Sequence, residues 1–255
     1  MKILESVAIA FSMYSKIPMP QFEWKKENMR YAMCFFPLVG AVIGLCMFLA
    51  GKIMFAVSVS PLFRGIAFTL LPLVITGGIH MDGFMDTVDA LSSYGDKEKK
   101  LEIMKDPNTG AFATIAMAMY LLWSVAVWSE IPVQMLGVCA TVFLVSRSLS
   151  GYAVVSLHAA KKSGLLHTFQ DSAQKRVVAV TMCGYLIALA ILLCIFNLRG
   201  AFAIFVGSGV TFSYFRLMIM KEFGGITGDL AGFFLQVAEL AMLTCVLLAG
   251  GFLWS

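Results

Sequence analysis

Ile66-Ala67-Phe68-Thr69-Leu70-Leu71-Pro72-Leu73-Val74-Ile75, then after Thr76 Gly77-Gly78-Ile79-His80-Met81-Asp82-Gly83-Phe84-Met85-Asp86-Thr87-Val88-Asp89, joins the two kinds of sequence this chain is made of. The first half is an apolar run of the sort that enters a bilayer. The second carries three carboxylates and a histidine. At about 100° per residue in a helix, Asp82, Asp86 and Asp89 stand at i, i+4 and i+7 and project from one face. Like charges on one face repel, so a cation is expected to bridge them. An oxygen-only donor set suits a hard ion, and Mg²⁺ in particular is usually held by one or two carboxylates together with substrate phosphates.

Composition extends the apolar reading to the whole chain. Hydrophobic residues make up 60% and charged residues 13%, and mean hydropathy is +0.86. That is far more apolar than an ordinary globular domain, and the runs reach the ~20 residues that span a bilayer. The expected fold is all-α, a polytopic transmembrane helix bundle. Residues 1–255 are nearly consumed by spans and short connections and form one integral membrane domain. Met1 to Pro20 lacks the basic start, apolar core and small-residue site of a cleavable signal. The cysteines Cys34, Cys46, Cys139, Cys183, Cys194 and Cys245 fall in apolar runs without CxxC spacing, so they read as small core residues rather than a disulfide set or a metal site.

In chain order, Lys2 to Ile17 has an apolar face (Ile3, Leu4, Val7, Phe11, Tyr14) but is short and is ended by Pro18 and Pro20, which predicts a helix lying in the membrane interface. Spans are expected near residues 32–54, 62–79, 111–129, 132–154, 177–197, 199–220 and 231–253, about seven in all. Lysine and arginine favour the cytoplasmic side of short loops. Fourteen of the nineteen lie in the N-terminal segment (Lys2, Lys16, Lys25, Lys26, Arg30), the second loop (Lys97, Lys99, Lys100, Lys105), the fourth (Lys161, Lys162, Lys175, Arg176) and the sixth (Lys221). This predicts a cytoplasmic N-terminus, with the aspartates, the basic loops and the Gly-rich turn before the last span on the same side. The net charge of +4 is mostly this topology signal and gives no reason to invoke nucleic acid.

Three more loops carry candidate chemistry. Asp106-Pro107-Asn108-Thr109-Gly110 is turn chemistry before a span, whose first backbone N–H groups are suited to a phosphate, with Lys105 as a point charge beside it. The fourth loop is basic at Lys161-Lys162 and follows Arg147, an intramembrane charge that needs a partner or a polar cavity. His158 and His167 have no metal-binding spacing. The sixth loop, Lys221-Glu222-Phe223-Gly224-Gly225-Ile226-Thr227-Gly228-Asp229, again sets glycines before a helix, and Glu239 follows inside the last span as the clearest intramembrane acid.

The stretch Gly77 to Asp89, then Ile103-Met104-Lys105-Asp106 with Gly110-Ala111-Phe112, then Gly224-Gly225-Ile226-Thr227-Gly228-Asp229 with Glu239, resembles the motifs of the cobalamin synthase family, the adenosylcobinamide-GDP ribazoletransferases. They recur in family order from Pro18-Met19-Pro20 to Glu239. Ala90, Pro107-Asn108 and Lys221-Glu222 depart from the usual pattern. The resemblance implies an Mg²⁺-dependent enzyme of the cytoplasmic (inner) membrane, working on its cytoplasmic face. It would transfer the adenosylcobinamide-phosphate group of adenosylcobinamide-GDP to a ribose hydroxyl of α-ribazole or its 5′-phosphate and release GMP.

The candidate set that follows has Asp82, Asp86 and Asp89 on the metal, with His80, Lys105 and Asp106 as further catalytic residues. Substrate contacts are expected from Gly77, Gly78, Gly83, Gly110, Arg147, Lys161, Lys162, Gly224, Gly225, Thr227, Asp229 and Glu239. Asp229 or Asp106 is expected to complete the acidic site from another loop. The expected partners are the two small substrates and the lipid bilayer, with homo-oligomers or association with other cobalamin-assembly enzymes left open. His80 and Asp82 lie about 200° apart on a continuous helix, so one ion reaches both only if Gly77-Gly78 and Gly83 break it. His80 is therefore expected to position substrate, with a carboxylate of the cluster as base. Two rivals stay open: a membrane transferase of the CDP-alcohol phosphotransferase or UbiA prenyltransferase type, and a transporter using Arg147 and Glu239 as a midplane ion pair.

Overall fold

The computed structural model describes residues 2–22, 26–160 and 165–251. Lys25, Lys161, Lys162 and the expected end of the last span at 252–253 lie outside the described residues. Twelve α-helices follow one another: α1 (Lys2–Tyr14), α2 (Lys26–Met29), α3 (Phe36–Ala56), α4 (Pro61–Thr76), α5 (Ile79–Ser92), α6 (Lys97–Ile103), α7 (Ala111–Glu130), α8 (Leu136–Ser156), α9 (Leu165–Ser172), α10 (Lys175–Phe196), α11 (Leu198–Glu222) and α12 (Gly228–Gly251). Among the described residues there is no strand, only an isolated bridge between Ala159 and Ile226.

Among the described residues six helical stretches are long and apolar enough to cross a membrane: Ala32–Ala56, Ala111–Glu130, Val133–Ser156, Lys175–Phe196, Leu198–Glu222 and Gly228–Gly250. The seventh expected crossing is different. It runs as α4 and then bends by 96° into α5. The bend sits at Gly77 (φ 67°) and Gly78 (φ 77°), two successive left-handed residues that L side chains adopt only at a cost. We read α4, about 24 Å long at 1.5 Å per residue, as the crossing. α5 then turns across its end through the 96° bend. α5 is continuous through Gly83, so the condition under which one ion would reach both His80 and Asp82 is not met.

Lipid tails give no hydrophobic drive between helices, so close backbone approach has to hold the bundle. Gly40 and Gly44 of α3 face the backbone of α8 at Phe143 and Ala140, so tightly that a Cβ at either position would collide with a carbonyl. Thr69 of α4 donates to Ser124 of α7 at 3.0 Å. α8 and α12 are central, with 72% and 61% of their apolar windows buried against 17% for the peripheral α10. Inside the bundle Arg147 of α8 pairs with Glu239 of α12, and Ser146 also donates to that carboxylate at 2.8 Å.

The long connections all meet at one end. Lys97 donates to the Met220 carbonyl at 3.2 Å and Lys100 pairs with Glu222, so α6 is tied to the end of α11. Ile226 N–H donates to the His158 carbonyl at 2.8 Å, joining the turn before α12 to the segment after α8. Gln174 N–H donates to the Arg30 carbonyl at 3.2 Å. The amphipathic α1 roofs this end: Ile9 and Phe11 are buried beneath it, Ile3 and Leu4 are exposed, and Lys16 N–H donates to the Ile75 carbonyl at 2.7 Å, docking the chain onto the end of α4.

Candidate active site

The N-terminal turns of α5 and α12 cross in contact at the meeting point of those connections. A Cβ on Gly83 would lie 2.6 Å from the Asp229 carbonyl oxygen, and one on Gly232 would lie 3.2 Å from that of His80. Only glycine at 83 lets the helices come this close, and the result is that Asp229 is brought to the aspartates of α5. Asp86 records it: burial first, then the charges of Asp82, Asp229 and Asp89, push its carboxyl up to about 6. The acid from a second loop is therefore Asp229. Asp106 is exposed and turned on itself, accepting from Asn108 N–H at 2.9 Å and from the Asn108 amide at 2.7 Å, bonds that lower its carboxyl below the usual range. It lines neither cavity described below.

The three aspartates of α5 do not share one environment. Asp89 accepts from the backbone N–H of Gly110 at 2.6 Å and of Ala113 at 2.9 Å. Gly110 is the N-cap of α7 and has no side chain of its own to serve, so Asp89 caps α7 from a distance. The N–H groups at the start of α7, expected to be available to a phosphate, already hold a carboxylate.

Two cavities flank Asp82. The more enclosed one, which we call the closed cavity although its mouth is open, is about 570 Å³ and has a polar wall from His80, Asp82, Lys105, Thr227 and Asp229. Its other wall is apolar and aromatic, with Tyr14, Met33, Phe36, Val154 and Phe169 from α1, the turn before α3, α3, α8 and α9. The second, about 700 Å³, is an open groove lined by Ser12, Ser15, Lys16, Thr76, Gly77 and Gly78. Ser12, Met13, Ile79 and Asp82 belong to both. The Lys16 stem lies against Gly77, where any Cβ would strike it, while a Cβ on Gly78 would meet nothing.

His80 is buried, with its ring 6.2 Å from that of Tyr14 and 6.3 Å from that of Phe36. Burial first, then the Arg147 guanidinium, holds its imidazole well below the usual range, and its Nε2 has no hydrogen-bond partner. A neutral, enclosed imidazole suits positioning better than proton removal. Of the remaining candidates, Thr227 accepts from Leu230 N–H at 3.2 Å at the start of α12. Gly224 (φ 74°) shapes the turn that makes the bridge to Ala159, and a Cβ on Gly225 would lie 2.5 Å from the His158 carbonyl. Arg147 and Glu239 line neither cavity. Lys16 and the wall of Tyr14, Met33, Phe36 and Phe169 went unseen as site residues in the sequence, where Lys16 reads only as a topology charge. The one sequence signal for Lys16 is its place just before Pro18-Met19-Pro20.

Among the described residues no three His, Cys, Asp or Glu side chains converge to hold an ion unaided. The donor set still fits Mg²⁺, which needs only one or two carboxylates when substrate phosphates and water complete its shell. Asp82 and Asp229 line the cavity, and Asp86, one turn along α5 from Asp82, feels the charge of both; the three are oxygen-only donors.

Fold and site together define a polytopic helical membrane protein with an acid-lined cavity at the loop-bearing end of its bundle. Residues 6–247 match the family described as cobalamin-5-phosphate synthase, and the chain belongs to that family. It is 43% identical to a Lachnoclostridium phytofermentans protein named adenosylcobinamide-GDP ribazoletransferase, over 98% of this chain and 96% of the relative. A Clostridium perfringens protein of the same name is 32% identical over 98% and 99%, and one from Mesorhizobium japonicum is 29% identical over 95% and 92%. No solved structure matches the chain.

Proposed function

We propose that this protein transfers the adenosylcobinamide-phosphate group of adenosylcobinamide-GDP to a ribose hydroxyl of α-ribazole or its 5′-phosphate. The hydroxyl oxygen bonds to the phosphorus that carries the cobinamide. The P–O bond to the bridging oxygen breaks and its electron pair leaves on GMP, while the hydroxyl proton passes to a carboxylate of the cluster. The observation that carries the reading is the crossing of α5 and α12, which gathers Asp82, Asp86 and Asp229 beside a cavity in a chain related over its length to proteins of that name.

Asp82 and Asp86 would hold Mg²⁺, with Asp229 supporting them. The ion, when bound, neutralises charge on the diphosphate oxygens and steadies the donor for in-line attack. Because the phosphoryl transition state is loose, the alcohol needs placement and only late proton removal. His80 supplies placement. The loop end faces the cytoplasm of the inner membrane, in keeping with its lysines and arginines.

The test uses protein purified in detergent and returned to liposomes, supplied with Mg²⁺ and either adenosylcobinamide-GDP plus α-ribazole or CDP-diacylglycerol plus an alcohol, with products read by mass spectrometry. Cobalamin product and GMP are expected from the first pair alone. Product from the second pair alone would overturn the reading. Reporter fusions after α12 and in the α6 segment test sidedness: the first is expected outside and the second inside.

A further inference from the structure

Resting on the proposed transfer, we infer that the two cavities divide the two substrates: the closed one takes the heteroaromatic base of the acceptor nucleoside, the open groove takes the diphosphate end of the donor, and they meet at Asp82. The first observation is size and enclosure. A cavity of about 570 Å³ is in the range that encloses a single small molecule. A corrin macrocycle bearing a nucleotide is far larger, so the donor has to lie mainly outside it.

The second observation is the sorting of polarity inside the closed cavity. An acceptor such as α-ribazole is itself divided, with an apolar dimethylbenzimidazole on one side and hydroxyls on the other. The cavity repeats that division: Tyr14, Met33, Phe36 and Phe169 on one wall, Asp82, Lys105, Thr227 and Asp229 on the other, where Lys105 suits the 5′-phosphate of an acceptor that carries one. Tyr14 and Phe36 pack with ring centroids 4.1 Å apart, and stacking of a heteroaromatic ring on such a wall favours binding without hydrogen bonds to its edge. Guanine fits this wall poorly, because its polar edge would be buried without partners. His80 sits between the walls, buried and with Nε2 unpartnered, a position from which its ring orders the base relative to the acids.

The third observation belongs to the groove. Lys16 is the cation of that wall, with its stem fixed over Gly77 beside the open backbone of Gly78 and the hydroxyls of Ser12 and Ser15. A point charge next to bare backbone and hydroxyls suits phosphate oxygens. The donor then presents its phosphorus at Asp82 from one side and the acceptor its hydroxyl from the other, which is the separation in-line attack requires.

The experiment compares Phe169→Leu with Lys16→Met, the second chosen because it keeps the stem over Gly77 and removes only the charge. Steady-state KM is measured for adenosylcobinamide-GDP and for α-ribazole with purified protein in liposomes, and binding of α-ribazole alone is followed by calorimetry. Phe169→Leu is expected to raise the α-ribazole KM and weaken its binding about tenfold, to alter preference between dimethylbenzimidazole and adenine ribosides, and to leave the donor KM within about twofold. Lys16→Met is expected to do the reverse, with donor KM up about tenfold. Should Phe169→Leu raise the donor KM and spare α-ribazole, the guanosine occupies the closed cavity and the assignment falls. Equal shifts in both KM values for both variants would also overturn it. A wild-type protein that forms no product would instead remove the proposed transfer, and calorimetry would still show whether α-ribazole binds through Phe169.

Discussion

The molecule treats its acids in two opposite ways, about 15 Å apart along α12 at 1.5 Å per residue. Glu239, deep in the bundle, is matched by Arg147 and Ser146. Asp82, Asp86 and Asp229, at the end of the bundle, face one another, and Asp86 is destabilised as an anion by its neighbours. A charge matched inside the protein is finished and can only hold helices together. Asp82 and Asp86, like charges set on one face of α5, are completed by something that arrives. The contrast speaks against the transporter reading, since Arg147 and Glu239 are locked to each other and line neither of the two cavities at Asp82.

The largest way to break the comparison is to spoil the finished pair on one side. Arg147→Met leaves Glu239 buried and unpaired, and removing one partner of a buried ion pair typically costs about 3–5 kcal/mol. The variant is expected to unfold at much lower temperature in detergent, whereas Arg147→Met combined with Glu239→Leu should regain most of the loss. If the double variant is as stable as wild type but inactive, the pair is part of the site.

Next come Asp82→Asn and Asp86→Asn, which touch the unfinished cluster. Loss of an interaction aimed at transition-state charge typically costs about 10²–10³-fold in kcat, and both variants are expected in that range. Thermal stability without Mg²⁺ should hold or rise, because repulsion falls. Near-normal turnover across an Mg²⁺ titration in both would sink the metal assignment.

The cluster also predicts a pH dependence. Asp86, pushed up to about 6, holds its proton more tightly in the folded protein than in the unfolded chain, where an Asp titrates near 3.9. Its contribution to metal-free stability is therefore present at low pH and lost as pH rises through 6. Mg²⁺ competes with that proton, so the Mg²⁺ midpoint of a thermal-shift titration is expected to rise by several-fold, up to about tenfold, between pH 7.5 and pH 5. Asp86→Asn should flatten the dependence. An unchanged midpoint in the wild type would place the ion elsewhere.

How far the sequence foretold this follows the same divide. Apolar length marks each span to within a few residues, because a bilayer imposes one length, but the expected span 62–79 runs through Gly77-Gly78, where the chain bends by 96°. Asp82 and Asp86 are visible because they sit on one face of one helix. What sequence could not show is what a different helix brings. The choice of Asp229 over Asp106 depends on the Gly83 crossing. The aromatic wall is assembled from α1, α3 and α9 without any shared periodicity. Lys16 is one basic residue among many until its stem is seen over Gly77. Asp89 is the clearest case, since i, i+4, i+7 spacing puts it with Asp82 and Asp86 while its partners lie more than twenty residues away in α7.

Asp89 therefore supplies the smallest and sharpest prediction. Its two oxygens are occupied by Gly110 and Ala113 N–H groups, which makes it an acid already finished by the protein, like Glu239, although it shares a helix face with the unfinished ones. Asp89→Asn keeps one acceptor oxygen, loses the charge at the start of α7, and should lower stability by about 1 kcal/mol, the scale of an N-cap and helix-dipole contribution. Turnover should fall less than about tenfold, through loosening of the α5–α7 contact, against the 10²–10³-fold expected at Asp82 and Asp86. Asp89→Ala, which loses both bonds, should lower stability further while its Mg²⁺ midpoint stays that of the wild type. If instead Asp89→Asn is as inactive as Asp82→Asn at unchanged melting temperature, Asp89 leaves α7 to join the metal during the reaction, and the division between finished and unfinished acids moves to the far side of it.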